Sequence, residues 1–254
     1  NGFFDAGSDS IIATAGLVYI SYVGITKVAS LSEEVINPER NLPLGVILSL
    51  SVSIIIYILG TIVIVGVLPM DKLAGNLTPV SAAAEIFWGK TGSVIVAIAA
   101  LLAFVSVANA GTMSASRYPL AMSRDNIMPV LFKKLGKHGT PVNAIITTVA
   151  VIIIILIFLN PMKIAKLASA FQLLMFSLAC LSVIIMRESK IESYDPGYFS
   201  PFYPWMQILG IFFPFYLIFQ MGLLPSLFTL GLIIVGFAWY FYYAKDKVVR
   251  RAAR

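Results

Sequence analysis

Seven apolar stretches, each long enough to cross a hydrocarbon layer, dominate this chain of 254 residues. They fall at about 11–29, 44–68, 91–116, 141–159, 164–186, 205–222 and 223–243. A bilayer core takes about 20 helical residues. Within it every backbone N–H and C=O must be satisfied by the protein itself, which leaves helices or closed barrels. The longer runs lack the period-two alternation of barrel strands. The expected fold class is therefore all-α and transmembrane.

Composition agrees. Only 12% of residues are charged and 59% are apolar, whereas soluble domains carry about 25% charge. Mean hydropathy is +0.92. Cys180 is the single cysteine and His138 the single histidine, so neither a disulfide framework nor a metal cluster is expected. No cofactor motif is present. The net charge of +6 does not point to nucleic acid, because the basic residues sit in short loops and in the tail "KDKVVRRAAR". Assigning Arg117–Thr140, the loop "RESKIESYDPGYFSPFYP" and the C-terminus to the cytoplasm, together with the connection after the first span that carries Lys27 and Arg40, puts fourteen of eighteen Lys and Arg inside, as the positive-inside bias requires. Seven crossings then place Asn1 outside, in a cell membrane (plasma or inner). The chain opens on Asn1 with no basic segment followed by a cleavage site, so no signal peptide is expected. It reads as beginning partway through a longer protein.

Two features of the first span bear on function. Gly16 and Gly24 lie inside it, with Ser21 and Thr26 near Gly24, the pattern of a helix that breaks to offer backbone groups to a ligand. Lys27 follows three residues later, where a cation favours a protein-lined or wet cavity over lipid; snorkelling to the headgroups is the alternative. It stands where a coupling cation or a protonatable group could act. The next stretch, "SEEVINPERNLP", sets Glu33, Glu34 and Glu39 against Arg40 on a side where base is expected. Either it is a solvated connection in which Pro38 and Pro43 end one helix and start the next, with Asn37 and Asn41 capping or turning the chain, or its charges latch neighbouring helices. Arg117, and Arg124 and Asp125 in "SRDNIMPVLFKKLGKHG", are the candidates to pair with it. On the third span, Ser106 and Asn109 are a possible cation or substrate contact, or simply help helices pack closely.

"YVGITKVASLSEEVINPERNLPLG" resembles the sixth-helix signature of the amino acid/polyamine/organocation permeases, which runs aromatic-x-G, a pair of glutamates, then N-P-x-R-x-[LI]-P. "SASRYPLAMSRDNIMPVLFKKLGKHGTPVNA" is similar to that family's loop after the eighth helix. "RESKIESYDPGYFSPFYPWMQILG" is likewise family-like. The resemblance implies a LeuT-type inverted-repeat fold. Residues 1–10 would be an extracellular segment, 11–187 the second five-helix repeat, 188–243 two further helices with their cytoplasmic loop, and 244–254 a basic cytoplasmic tail. The first repeat would lie in the same longer chain or in a partner. It further implies a secondary active amino acid transporter working by alternating access, as proton-coupled symport or exchange, with proton or sodium as coupling ion and the bilayer as its medium. The substrate ammonium would meet carbonyls of the sixth helix, here Tyr19, Ile20, Ser21, Tyr22, Val23 and Gly24. Ile20 stands where many relatives carry a large aromatic gate, and Tyr19 and Tyr22 are its neighbours. Read from their charge and placement, Lys27, Glu33, Glu34, Arg40, Arg124 and Asp125 are the candidates for coupling or gating.

An intramembrane enzyme needs a nucleophile with a base, or a metal with ligands. The chain has no H-E-x-x-H, no G-x-S-x-G and no facing pair of membrane aspartates, so no enzyme is expected. A seven-span receptor or scaffold is the alternative to a transporter.

Overall fold

The computed structural model describes residues 7–24, 35–136, 139–189, 198–245 and 247. Among them all regular structure is helical. Helix α1 runs Gly7–Val18 and passes into a 3-10 turn, Tyr19–Tyr22. Helix α2 is Pro38–Val67, α3 the single turn Met70–Leu73, and α4 Pro79–Arg124. A 3-10 turn, Val130–Lys133, leads to α5, Val142–Phe158. Helices α6, Pro161–Glu188, α7, Trp205–Gln220, and α8, Leu223–Trp239, complete the chain, and α8 ends in a π turn, Tyr240–Ala244.

Four segments are long and apolar enough to cross a membrane: α2, α4, α6 and α8 with its π turn. Helices α5 and α7 are shorter, 17 and 16 residues, or about 25 Å. The apolar window of α2 is entirely unburied by the rest of the chain, with Ile56 60% and Leu59 58% exposed. Water would not tolerate such a surface; lipid and neighbouring helices do. The chain is part of a multi-pass membrane protein.

Several boundaries differ from those expected. Pro43 does not start α2. The helix begins at Pro38, where the missing N–H is harmless at the first position, and Pro43 lies inside it. Asn37 turns the chain at φ 51° and makes no side-chain cap; Asn41 instead donates from Nδ2 to the Ile36 carbonyl at 2.5 Å. The third span does not end near residue 116. Helix α4 continues to Arg124, so Arg117 belongs to it rather than to a loop. At 46 residues a straight helix would measure about 69 Å, more than twice the hydrocarbon thickness. It is bent instead at Gly89, whose φ 61° and ψ −158° suit only glycine. The arm before the bend folds back, held by Ser81 Oγ, which donates to the Ser93 carbonyl at 3.1 Å.

The densest packing joins α6 and α7, with α1 and α8 against them. Ser169, Leu173 and Ser177 recur every four residues along α6 and are all buried. Around them Ala170, Leu217, Ile218 and Met221 form the core, onto which Ile12 and Tyr19 pack. Ser177 Oγ lies 3.1 Å from the Leu173 carbonyl and 3.3 Å from that of Ile211 on α7, so a buried hydroxyl keeps a partner in lipid.

The α6–α7 approach is close enough to test. A β-carbon at Gly210 would lie 2.5 Å from Cys180 Sγ and 3.5 Å from its Cβ, so the sulfur must move for any side chain to fit, and a branched one adds two more carbons to the same gap. Gly210→Val is expected to destabilise the bundle by about 2 kcal/mol, lowering its melting temperature, with partial recovery on adding Cys180→Ala. An unchanged melting temperature would mean that the two helices do not meet at this register.

Candidate functional site

The segment singled out in the first span is where α1 stops being an α-helix. Regular i to i−4 geometry ends at Val18, the chain tightens over Tyr19–Tyr22, and Val23 N–H donates to the Ile20 carbonyl at 3.3 Å. Val23 and Gly24 form a turn. A tightening helix re-aims its carbonyls, and two here accept from side chains of other helices. Ser169 Oγ on α6 donates to the Leu17 carbonyl at 2.9 Å. Tyr57 OH on α2 donates to the Ser21 carbonyl at 3.2 Å.

The two aromatics of the segment are held apart. Tyr19 meets Phe176 of α6 edge to face, centroids 5.7 Å apart, while Tyr22 meets Tyr57 of α2 at 5.4 Å. Ile20 is half-buried, and Ser21 and Gly24 are exposed. One turn before the break, Gly16 is buried against α7: a β-carbon there would lie 2.8 Å from Cγ and Sδ of Met221. The small residue lets α1 sit against α7, and the break follows where that seat ends. The segment therefore lies between α6 on one side and α2 on the other, with a short stretch of backbone facing neither.

The other expected residues are not gathered there. Ser106 and Asn109 are exposed on α4, one turn apart, and no described hydrogen bond joins them to residues 19–24. Lys27, Glu33 and Glu34 lie outside the described residues. Arg40, Arg124 and Asp125 are all exposed, and among the described residues no ion pair links them. What orders the loop after α4 is uncharged: Ser123 Oγ donates to the Pro129 carbonyl at 2.9 Å, Asn143 Nδ2 to Leu131 at 3.0 Å, and Trp239 Nε1 from α8 to Ile127 at 2.8 Å.

Sequence reasoning missed the props of the break, Ser169, Phe176 and Tyr57. Tyr57 carried a signal, as the lone aromatic in the isoleucine-rich α2. Ser169 carried little, because any serine in a span can bond its own helix.

A family model described as amino acid permease matches residues 1–244. The chain belongs to the amino acid permease family. This permease chain is 30% identical over 246 residues to the branched-chain amino acid permease BcaP of Bacillus subtilis (strain 168), covering 96% of its own length and 52% of that protein. It is 30% identical over 248 residues to the methylthioribose transporter of the same organism, with the same coverage of each. Over 187 residues it is 30% identical to "Cationic amino acid transporter 3, mitochondrial" of Arabidopsis thaliana, covering 73% of itself and 30% of that protein. The permease chain thus spans about half the length, or less, of these curated relatives. They are named as transporters and permeases, not enzymes.

Proposed function

We propose that the protein containing this chain carries amino acids across a membrane by alternating access. In this reading the chain supplies the second five-helix repeat of a LeuT-type fold and two further helices, and Tyr19–Gly24 supplies backbone to the substrate ammonium. The observation that carries it is the ending of α1 at Val18, with the Leu17 and Ser21 carbonyls held by donors from two different helices, α6 and α2. Carbonyls fixed by rigid neighbours are preorganised acceptors for a cationic group. A polar pair at mid-span on α4, Ser106 and Asn109, left exposed by this chain, fits a site completed by helices outside it. Proton or sodium coupling, as symport or exchange, belongs to the same proposal. So does a cell membrane with the basic C-terminus inside, supported by fourteen of eighteen Lys and Arg on that side.

The test is flux. The complete protein in proteoliposomes is expected to exchange labelled leucine or arginine against the same unlabelled amino acid inside, saturably. Saturable binding without exchange would make the protein a receptor or scaffold. Exchange of methylthioribose alone would move it to a different substrate class.

A further inference from the structure

Where the α5–α6 connection meets the α7–α8 connection, the helix ends enclose a cleft of about 380 Å³. The four ends meet through two short connections, at Leu159–Asn160 and Met221–Gly222, which the hydropathy pattern sets at the edge of the apolar layer. One side carries Lys163 and Lys166, three residues apart and hence on one face of α6. Asn160 Oδ1 accepts from the Lys163 backbone N–H at 2.9 Å, a cap that fixes the first turn, which carries Lys163, with Lys166 in the turn above. The lining is otherwise largely apolar, with Met162, Met221 and Leu224 among its residues.

Among the described residues the lining holds two ammonium groups and no carboxylate, beside the positive end of a helix. A structural ion pair would supply its own acid; this lining leaves both ammonium groups open to an anionic ligand. A free inorganic anion would use the lysines and leave the apolar wall idle. A molecule with an anionic head and a hydrocarbon body uses both, and the membrane around the cleft is made of such molecules. We propose that this cleft binds the headgroup of an anionic phospholipid, its phosphate between Lys163 and Lys166 and the start of its acyl chains along Met162, Met221 and Leu224. The site is separate from Tyr19–Gly24 but adjoins its support, because Met221 also packs against Gly16 of α1.

The test uses the complete protein in a zwitterionic detergent, titrated with dioctanoyl-phosphatidylglycerol and, separately, dioctanoyl-phosphatidylcholine, with bound lipid counted by native mass spectrometry. Lys163 is exposed and Lys166 half-buried, so exchanging them leaves the fold intact, which an unchanged melting temperature checks. Lys163→Gln with Lys166→Gln is expected to weaken phosphatidylglycerol about 20-fold and leave phosphatidylcholine unchanged. Lys163→Arg with Lys166→Arg should retain the affinity within about twofold, since the charge is kept. Lys72→Gln with Lys90→Gln should change nothing. Equal phosphatidylglycerol affinity in wild type and the double glutamine variant would overturn the proposal, as would equal affinity of wild type for the two lipids. Displacement by inorganic phosphate at matching concentration would reassign the cleft to a free anion.

Discussion

Gly24→Leu in the complete protein is expected to lower amino acid uptake about 100-fold or more while expression, membrane insertion and melting temperature stay at wild-type values. The two halves of this outcome have separate physical grounds. Nothing in the described chain lies within 4 Å of where a β-carbon at Gly24 would be, so the leucine meets no neighbour among the described residues and their packing has no reason to weaken. The same open space lies beside the backbone that the proposed site presents to its ligand. Four added carbons there displace a small substrate from its carbonyls, and overpacking of this kind costs up to about 3 kcal/mol, or roughly 100-fold in occupancy. Gly24→Ala, adding one carbon, should fall between. Wild-type uptake by the leucine variant would take Gly24 out of the site; a lowered melting temperature would mean instead that another part of the protein packs on this glycine.

Residues 1–254 reconstituted alone are expected to show no concentrative uptake, whereas the complete protein accumulates substrate. The expected effect is total, because the proposed site has only one wall here. A zwitterionic amino acid brings an ammonium and a carboxylate. The Tyr19–Gly24 carbonyls suit the first, but the donors described there, Ser169 Oγ and Tyr57 OH, are already engaged by the Leu17 and Ser21 carbonyls. A carboxylate taken from water without partners costs several kcal/mol, more than the ammonium contacts return. The bare surface of α2 and the exposed Ser106 and Asn109 likewise call for covering helices. Restoring uptake by co-expressing the upstream half as a separate chain would support the proposal. Concentrative uptake by residues 1–254 alone would end it.

The membrane class was legible in the sequence for a reason that does not depend on packing. Apolar runs of about 20 residues can be housed only where the backbone bonds to itself, so helices were dictated before any contact was known. The start of α6 was not: hydropathy opens that span at 164, whereas Asn160 caps a helix that begins at Pro161, because the amphipathic first turn carries too little apolar character to register. Nor were other helix ends outside the hydrocarbon. Continuation of α4 to Arg124 and the start of α2 at Pro38 rest on local backbone bonding in water, to which hydropathy is blind.

The candidate site divides along the same line. Glycine and hydroxyl residues inside a span marked the neighbourhood of Gly24, because a backbone that leaves the α-helix needs small or polar residues. What holds it there came from the tertiary structure alone. Ser169 reaches Leu17 across 152 positions and Tyr57 reaches Ser21 across 36. Which carbonyl a buried hydroxyl finds is decided by how helices seat against one another, with Gly16 against Met221 and Gly210 against Cys180. In lipid many pairings satisfy the same bond, and only close packing of small residues selects among them.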